Sequence, residues 1–298
     1  MRSLSAETIS TGSRVFFIAM TRITPESPDP AAFLTPAAGA YGALAPFYDR
    51  FTAGHDYERW TTTLEPLARA HGLAGRRLLD VACGTGKSFA AFLRRGYDVV
   101  ACDVSPEMAA QARERGGGAV DVRVCDMRAL PRLGAFDLVT CLGDSVNYLT
   151  DPMHDLPRAF AAAAANLRPG GVYLFDVNTL FTYRSWYLAD HRSEDEDGLV
   201  FEWRGARHAP IVPGTLATAT VAVLTPGGER HDAGRHVQRH HPLPVLRAAL
   251  LRAGFDAVTA HGQDGTGALR GDPDEDTLTK TIVIARRSSE PLEPPERR

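Results

Sequence analysis

Eleven residues constrain this chain more than any others: Leu78-Leu79-Asp80-Val81-Ala82-Cys83-Gly84-Thr85-Gly86-Lys87-Ser88. Apolar residues run into a glycine-spaced turn and a helix-like stretch follows. The segment therefore reads as a strand, a tight loop and a helix N-terminus, where backbone N–H groups meet a small polar ligand. Two phosphate-binding patterns fail here on single residues. The P-loop, G-x-x-x-x-G-K-[ST], finds its end in Gly86-Lys87-Ser88 but has Val81 at its first glycine position. The dinucleotide fingerprint, G-x-G-x-x-G, fits Gly84 and Gly86 and then meets Phe89, whose ring blocks the close helix–strand approach that a third glycine allows. What remains is an acid on the strand, Asp80, followed by a small-x-Gly-x-Gly loop.

The flanking pattern supplies a sheet for this loop. Predicted strands at 77–82, 98–102, 120–124, 136–141 and 172–175 alternate with predicted helices at 87–95, 106–115 and 159–167. Such alternation argues for a parallel, doubly wound α/β sheet. Ser105-Pro106-Glu107 offers an N-cap, a proline at the first helical position and an acid in the first turn. After residue 178 the pattern turns antiparallel, with strands at 201–206, 215–224 and 231–241 and Pro226-Gly227-Gly228 as a hairpin turn. A helix at 244–252 and strands at 255–260 and 279–285 resume the first pattern around an acidic, glycine-containing loop, 262–276. Ahead of the sheet, apolar and aromatic residues of 41–70 recur at helical spacing with a break near Gly54, predicting two helices over the sheet's mouth. The organisation follows: a tail over 1–38, helices and α/β core over 39–178, a β-rich insertion over 179–242, the end of the core over 243–287, and a second tail over 288–298.

Composition removes several classes. With 298 residues, 44% hydrophobic and 23% charged, the chain can bury one sizeable core and needs no membrane. A net charge of −3 lacks the clustered excess of Lys and Arg that a nucleic-acid surface draws on. Cys83, Cys102, Cys125 and Cys141 form no C-x-x-C pair, so they read as small buried thiols of a reducing, cytoplasmic protein. The apolar run 15–20 is too short for a signal-peptide core, and Met20 is an alternative start. His236, His240 and His241 have no carboxylate at ligand spacing, which argues against a metal.

The loop at 80–86, the acid Asp103 roughly 20 residues further on, Asp126-Met127 after the third strand and the polar stretch after the fourth together resemble class I S-adenosylmethionine-dependent methyltransferases. The likeness is to the small-molecule branch, to aminosugar and glycine-type N-methyltransferases with a β-rich lid after strand five. It implies a Rossmann-like seven-stranded sheet with an antiparallel last strand, and S-adenosylmethionine as cofactor. It further implies that Ala82, Cys83, Gly84 and Gly86 pack against the cofactor's methionine part, while Asp80 bonds the loop backbone or the cofactor's ammonium group. By the same likeness Asp103 accepts from the ribose hydroxyls and Asp126 from the adenine amine, with Met127, Val104 and Met108 around the ring. Tyr48 and Trp60 lie beside the methionine end, and Leu142 and Ser145 border the transferring methyl.

The acceptor side rests on two stretches. After the fourth strand, Asp144, Ser145, Asn147 and Tyr148 interleave with Leu142, Val146 and Leu149, so one face packs while the other looks into a pocket. Tyr148 stands where aminosugar enzymes commonly offer a histidine base; Asp144 and Tyr148 are the catalytic candidates. With an ordinary pKa near 10, a tyrosine orients a nucleophile better than it deprotonates one. The insertion adds Phe181, Tyr183, Trp186, Trp203, His236 and Arg239 as a semi-polar acceptor surface, although lid packing explains the same aromatics. The expected activity is methylation of a small organic molecule at nitrogen or oxygen, in natural-product or sugar tailoring, by a monomer or homodimer. A nicotinamide-dependent oxidoreductase, which Phe89 disfavours, and a non-catalytic cofactor-binding protein on the same fold stay as alternatives.

Overall fold

The computed structural model describes residues 35–206 and 210–289. Most of both tail segments therefore lies outside the described residues. Thr35 already caps the first helix, accepting the Ala38 N–H at 3.0 Å, so the ordered chain starts before residue 39.

Helices α1 (Pro36–Leu44), α2 (Tyr48–Phe51) and α3 (Tyr57–Ala70) precede the sheet. The alternating region follows as β1 (Arg77–Val81), α4 (Lys87–Arg94), β2 (Asp98–Asp103), α5 (Pro106–Gly116), β3 (Asp121–Val124), β4 (Phe136–Cys141), α6 (Asp155–Asn166) and β5 (Leu167–Asn178). The expected N-cap holds, with Ser105 Oγ accepting the Met108 N–H at 3.2 Å. Helix α6 starts a turn earlier than predicted, and β5 is longer at both ends. It takes in Pro169-Gly170-Gly171 through a slip in register between Phe136↔Leu167 and Leu138↔Val172.

A short helix, α7 (Leu180–Thr182), leads to β6 (Asp190–Glu194), β7 (Val200–Gly205), β8 (Leu216–Leu224) and β9 (Arg230–Arg239), which form an antiparallel sheet in that order. The sequence concealed β6, whose five residues are Asp-His-Arg-Ser-Glu with no apolar alternation; it is an edge strand held by β7. Helix α8 (Leu243–Arg252) and strands β10 (Phe255–Gln263), β11 (Leu269–Arg270) and β12 (Lys280–Arg287) complete the main sheet. Its order is β11-β10-β12-β5-β4-β1-β2-β3, eight strands among the described residues and not seven. The extra one is the two-residue β11, inside the acidic loop, paired antiparallel with Gly262 and Gln263. As expected, β12 runs antiparallel to β5.

Neighbouring residues on each central strand serve opposite faces. Leu79, Val139 and Phe175 join Phe160 and Leu250 in one core, while Leu78, Leu138 and Leu174 join Leu64, Phe89 and Phe92 in the other. Continuous apolar strands covered on both sides follow from that period of two. A third cluster, with Leu44, Phe201, Val221 and Val223 at its centre and Phe47, Tyr48 and Phe51 against it, lays the second sheet on the N-terminal helices. Their backbones meet at Gly234, where an added Cβ would come within 2.6 Å of the Ala40 Cα. This contact fixes the N-terminal helices and the lid over the carboxyl ends of β1, β2 and β4.

Candidate active site

The turn after β1 is built from left-handed backbone. Ala82 and Gly84 have φ of +56° and Gly86 has φ of +86°. At Gly86, the N-cap of α4, an added Cβ would run into the Phe89 ring. The residue that spoils the dinucleotide fingerprint is thus packed on the loop's second glycine, which faces the protein. Gly84 faces the cleft, and a Cβ there would come within 3.6 Å of Tyr48.

Asp103 ties the first two strand ends together. Its carboxylate accepts the Gly84 N–H at 2.8 Å and the Ser105 N–H at 2.9 Å. Burial raises its pKa to about 6 against the pull of those backbone donors. Asp80 lies beneath the loop with its oxygens taken by Thr140 Oγ1 at 2.7 Å and by Ser88 Oγ, and burial likewise raises it to about 6. It fastens the start of α4 to the sheet and does not reach the cleft.

The cleft at the end of β1 opens to solvent. It is lined by Ala82, Cys83, Gly84 and Asp103, by Val104, Met127, Leu142 and Ser145, and by Tyr48 and Tyr148. A second hollow continues from Val104 and Met127 past Cys125 and Asp126 to Arg235 and Val237 of the lid. Asp126 caps the short turn after β3 through the Arg128 N–H at 2.8 Å and pairs with the Arg128 guanidinium. Burial would raise its pKa, but the Arg128 contacts prevail and hold it below the usual carboxylate range.

At the far end the Tyr41 hydroxyl donates to Tyr148 Oη at 3.1 Å, and Tyr148 Oη lies 2.8 Å from His236 Nδ1. Burial, reinforced by the Asp144 charge, pushes the Tyr148 hydroxyl well above its ordinary pKa. Burial also lowers the His236 imidazole to about 4, so the ring is neutral at physiological pH. A histidine does stand at this end, but the lid strand β9 supplies it from behind the tyrosine.

Several sequence candidates lie elsewhere. Asp144, held at φ +54°, has its oxygens bound to Lys280 Nζ at 2.9 Å and Gln238 Nε2 at 2.6 Å. Lys280 also pairs with Asp176 at 2.6 Å, so Asp144 is a joint between lid and core and no free base. Asn147 is fully buried, bridging the Arg239 carbonyl and the Asn178 N–H, while the Arg239 guanidinium bonds the carbonyls of Thr150 and Gly214. Tyr183 is buried against Gln238. Trp186 faces outward, stacked on His191, with its carbonyl accepting from Trp203 Nε1. Phe181 is likewise partly exposed, and Trp203 packs between Tyr187 and His236. Met108 is wholly buried, and Trp60 turns its ring to Lys280 and the core. The sequence reading missed Tyr41, Tyr57, Thr85, Lys87 and Ser88, all of which line the cleft. Tyr57 takes the place expected for Trp60, one helical turn earlier, and Lys87 had a visible signal in the incomplete P-loop.

Among the described residues no helix is long and apolar enough to cross a membrane. A sequence profile described as "Methyltransferase domain" matches residues 78–171. The chain is 34% identical over 231 residues to dTDP-3-amino-3,6-dideoxy-alpha-D-glucopyranose N,N-dimethyltransferase of Streptomyces fradiae, covering 77% of this chain and 78% of that one. Its fold resembles that of an S-adenosylmethionine-dependent methyltransferase from Clostridium acetobutylicum ATCC 824, with TM-score 0.68, 22% identity, and 83% and 99% of the two chains covered. It also resembles the sugar N-methyltransferase KedS8 from Streptoalloteichus sp. ATCC 53650, with TM-score 0.62, 23% identity, and 95% and 100% covered.

Proposed function

Since this chain belongs to the class I S-adenosylmethionine-dependent methyltransferases, we propose that it methylates a polar small molecule held at the Tyr148 end of the cleft, with a nucleotide-linked amino sugar as the first acceptor to test. S-adenosylmethionine supplies the methyl group on a sulfonium, for in-line displacement by the acceptor's nitrogen or oxygen.

The residues present fit that cofactor. Gly84 holds the turn at φ +56°, a backbone that side chains rarely adopt, and keeps the cleft lining there free of a side chain. Asp103 keeps lone pairs beyond those used by Gly84 and Ser105, and these suit two ribose hydroxyls. Val104 and Met127 offer apolar walls to adenine, with Asp126 at the rim to accept from its amine. Tyr48 and Tyr57 line the same cleft and on this reading stand beside the methionine arm.

The observation that carries the acceptor assignment is the chain Tyr41–Tyr148–His236. Tyr148 accepts from Tyr41 and is held against His236, so its hydroxyl is fixed in position on the cleft for contact with an N–H or O–H of the nucleophile. Its raised pKa opposes proton abstraction, so it orients the acceptor's lone pair toward the methyl group. An amine sheds its proton to water after transfer and needs no stronger base, in keeping with the amino-sugar relative. The test is transfer from methyl-labelled S-adenosylmethionine to a panel of dTDP-linked amino sugars, free amino sugars and hydroxylated aromatics, read by mass. Labelled nucleotide-linked amino sugar is the expected product. Label found only on hydroxylated aromatics overturns the acceptor class, and no transfer to any of them overturns the proposal.

A further inference from the structure

Lys87 is a cation in the cleft without an anion. It sits at the first turn of α4 and lines the cleft beside Ser88 and Tyr57. Its Nζ donates to the Thr52 carbonyl at 2.7 Å and reaches Thr52 Oγ1 at 3.2 Å. Two of the three ammonium donors are thus placed on neutral oxygens. Among the described residues no carboxylate forms an ion pair with it. Asp49, the acid whose charge acts on it, is committed to Thr85 Oγ1 at 2.6 Å and to the Arg115 guanidinium. Half-burial pulls the ammonium below the usual lysine range, as expected for a charge that has lost water and found no counter-ion.

A second observation bears on the same spot. The N-terminus of α4 presents backbone donors that no preceding turn satisfies, and its macrodipole favours negative charge. Asp80 serves that terminus from below, taking the Phe89 N–H and the Ser88 hydroxyl. Lys87 stands on the cleft side. A half-buried cation beside a helix N-terminus is costly alone, and an arriving carboxylate would give it a charge-assisted hydrogen bond.

We propose that Lys87 is the clamp for the α-carboxylate of the cofactor's methionine arm. The assignment rests on the S-adenosylmethionine reading above. It gives the cofactor two charged contacts, Asp103 for the ribose and Lys87 for the amino-acid arm. The incomplete P-loop signature then has a physical meaning: the lysine that would meet a phosphate in that motif meets a carboxylate here.

Calorimetry of the wild type and Lys87→Met with two probes tests this. S-adenosylhomocysteine carries the carboxylate; 5′-methylthioadenosine has the adenosine and sulfur without the arm. Lys87→Met should weaken S-adenosylhomocysteine by about 10- to 150-fold, the range for a hydrogen bond to a charged group. It should leave 5′-methylthioadenosine within about twofold, a change too small for a lost contact. Equal losses on both probes would mean that Lys87 only braces the Thr52 turn, and no loss on either would mean that it touches nothing; both overturn the clamp. A wild type that binds neither probe overturns the cofactor assignment itself. Melting temperatures of both proteins identify a variant that has failed to fold. In that event Lys87→Gln replaces it, with the same two-probe comparison deciding.

Discussion

The two ends of the cleft are assembled over different spans of chain. At the cofactor end, Asp103 meets the Gly84 N–H across 19 positions, and backbone groups do most of the holding. At the acceptor end, Tyr148 meets Tyr41 across 107 positions and His236 across 88, and the contacts are between side chains. The Gly84–Asp103 part of the first end forms once β1 and β2 pair. The second exists only when the lid and the N-terminal helices are both docked, through contacts such as Gly234 on Ala40 and the Lys280–Asp144–Gln238 joint. Substitutions should therefore separate into those that cost cofactor affinity and those that cost turnover alone.

The largest expected effect is at Gly84. Valine there adds bulk against Tyr48 and forces a β-branched residue into φ +56°, so S-adenosylhomocysteine binding should vanish in calorimetry while the far-ultraviolet dichroism stays native. Near-native affinity would remove the turn from the cofactor site. Asp103→Ala comes next, with an expected loss of about 1.5–3 kcal/mol in S-adenosylhomocysteine affinity, the range for a hydrogen bond to a charged group. An unchanged dissociation constant would assign the ribose elsewhere.

The smallest effect is pH dependence. With Asp103 at about 6, its carboxylate is available above that value and lost below it. Affinity at pH 5 should then be weaker than at pH 7.5 by roughly tenfold, the fraction ionised one unit below a pKa. Stability should move the other way. Asp80 and Asp103 both have folded pKa values near 6, above the unfolded value of about 4, so the folded chain binds the extra protons and stability falls as pH rises through that window. Affinity and melting temperature that rise together across pH 5–7 would contradict this role for the buried acids.

This difference in span also explains what the sequence disclosed. The turn after β1, Asp103 and the alternation of strands and helices are local patterns, and the sheet agrees with them apart from the added β11. Strand β6 was hidden because an edge strand buries little and its residues are polar. The acceptor side is harder to read for a related reason. Tyr183, Trp203 and Arg239 have the composition of a pocket, but aromatic packing and carbonyl-bound guanidinium groups serve lid joints equally well, and only the tertiary fold separates the two uses. Tyr148 stood out by its place after β4 and His236 as a polar residue of the lid; their pairing was not legible, because no sequence spacing links β9 to that loop. Lys87 was read as part of a failed motif, and its missing counter-ion is visible only in three dimensions.

The separability of the two ends is tested most directly at Tyr148. For Tyr148→Phe, S-adenosylhomocysteine affinity by calorimetry and turnover of the acceptor identified by label transfer should be measured on the same preparation. The expected result is turnover lower by about 10- to 1,000-fold, around or below the usual range for a positioned acid–base group, with cofactor affinity unchanged. Affinity falling in step with turnover, or full turnover retained, would contradict the account, because Tyr148 would then belong to the cofactor end or to neither.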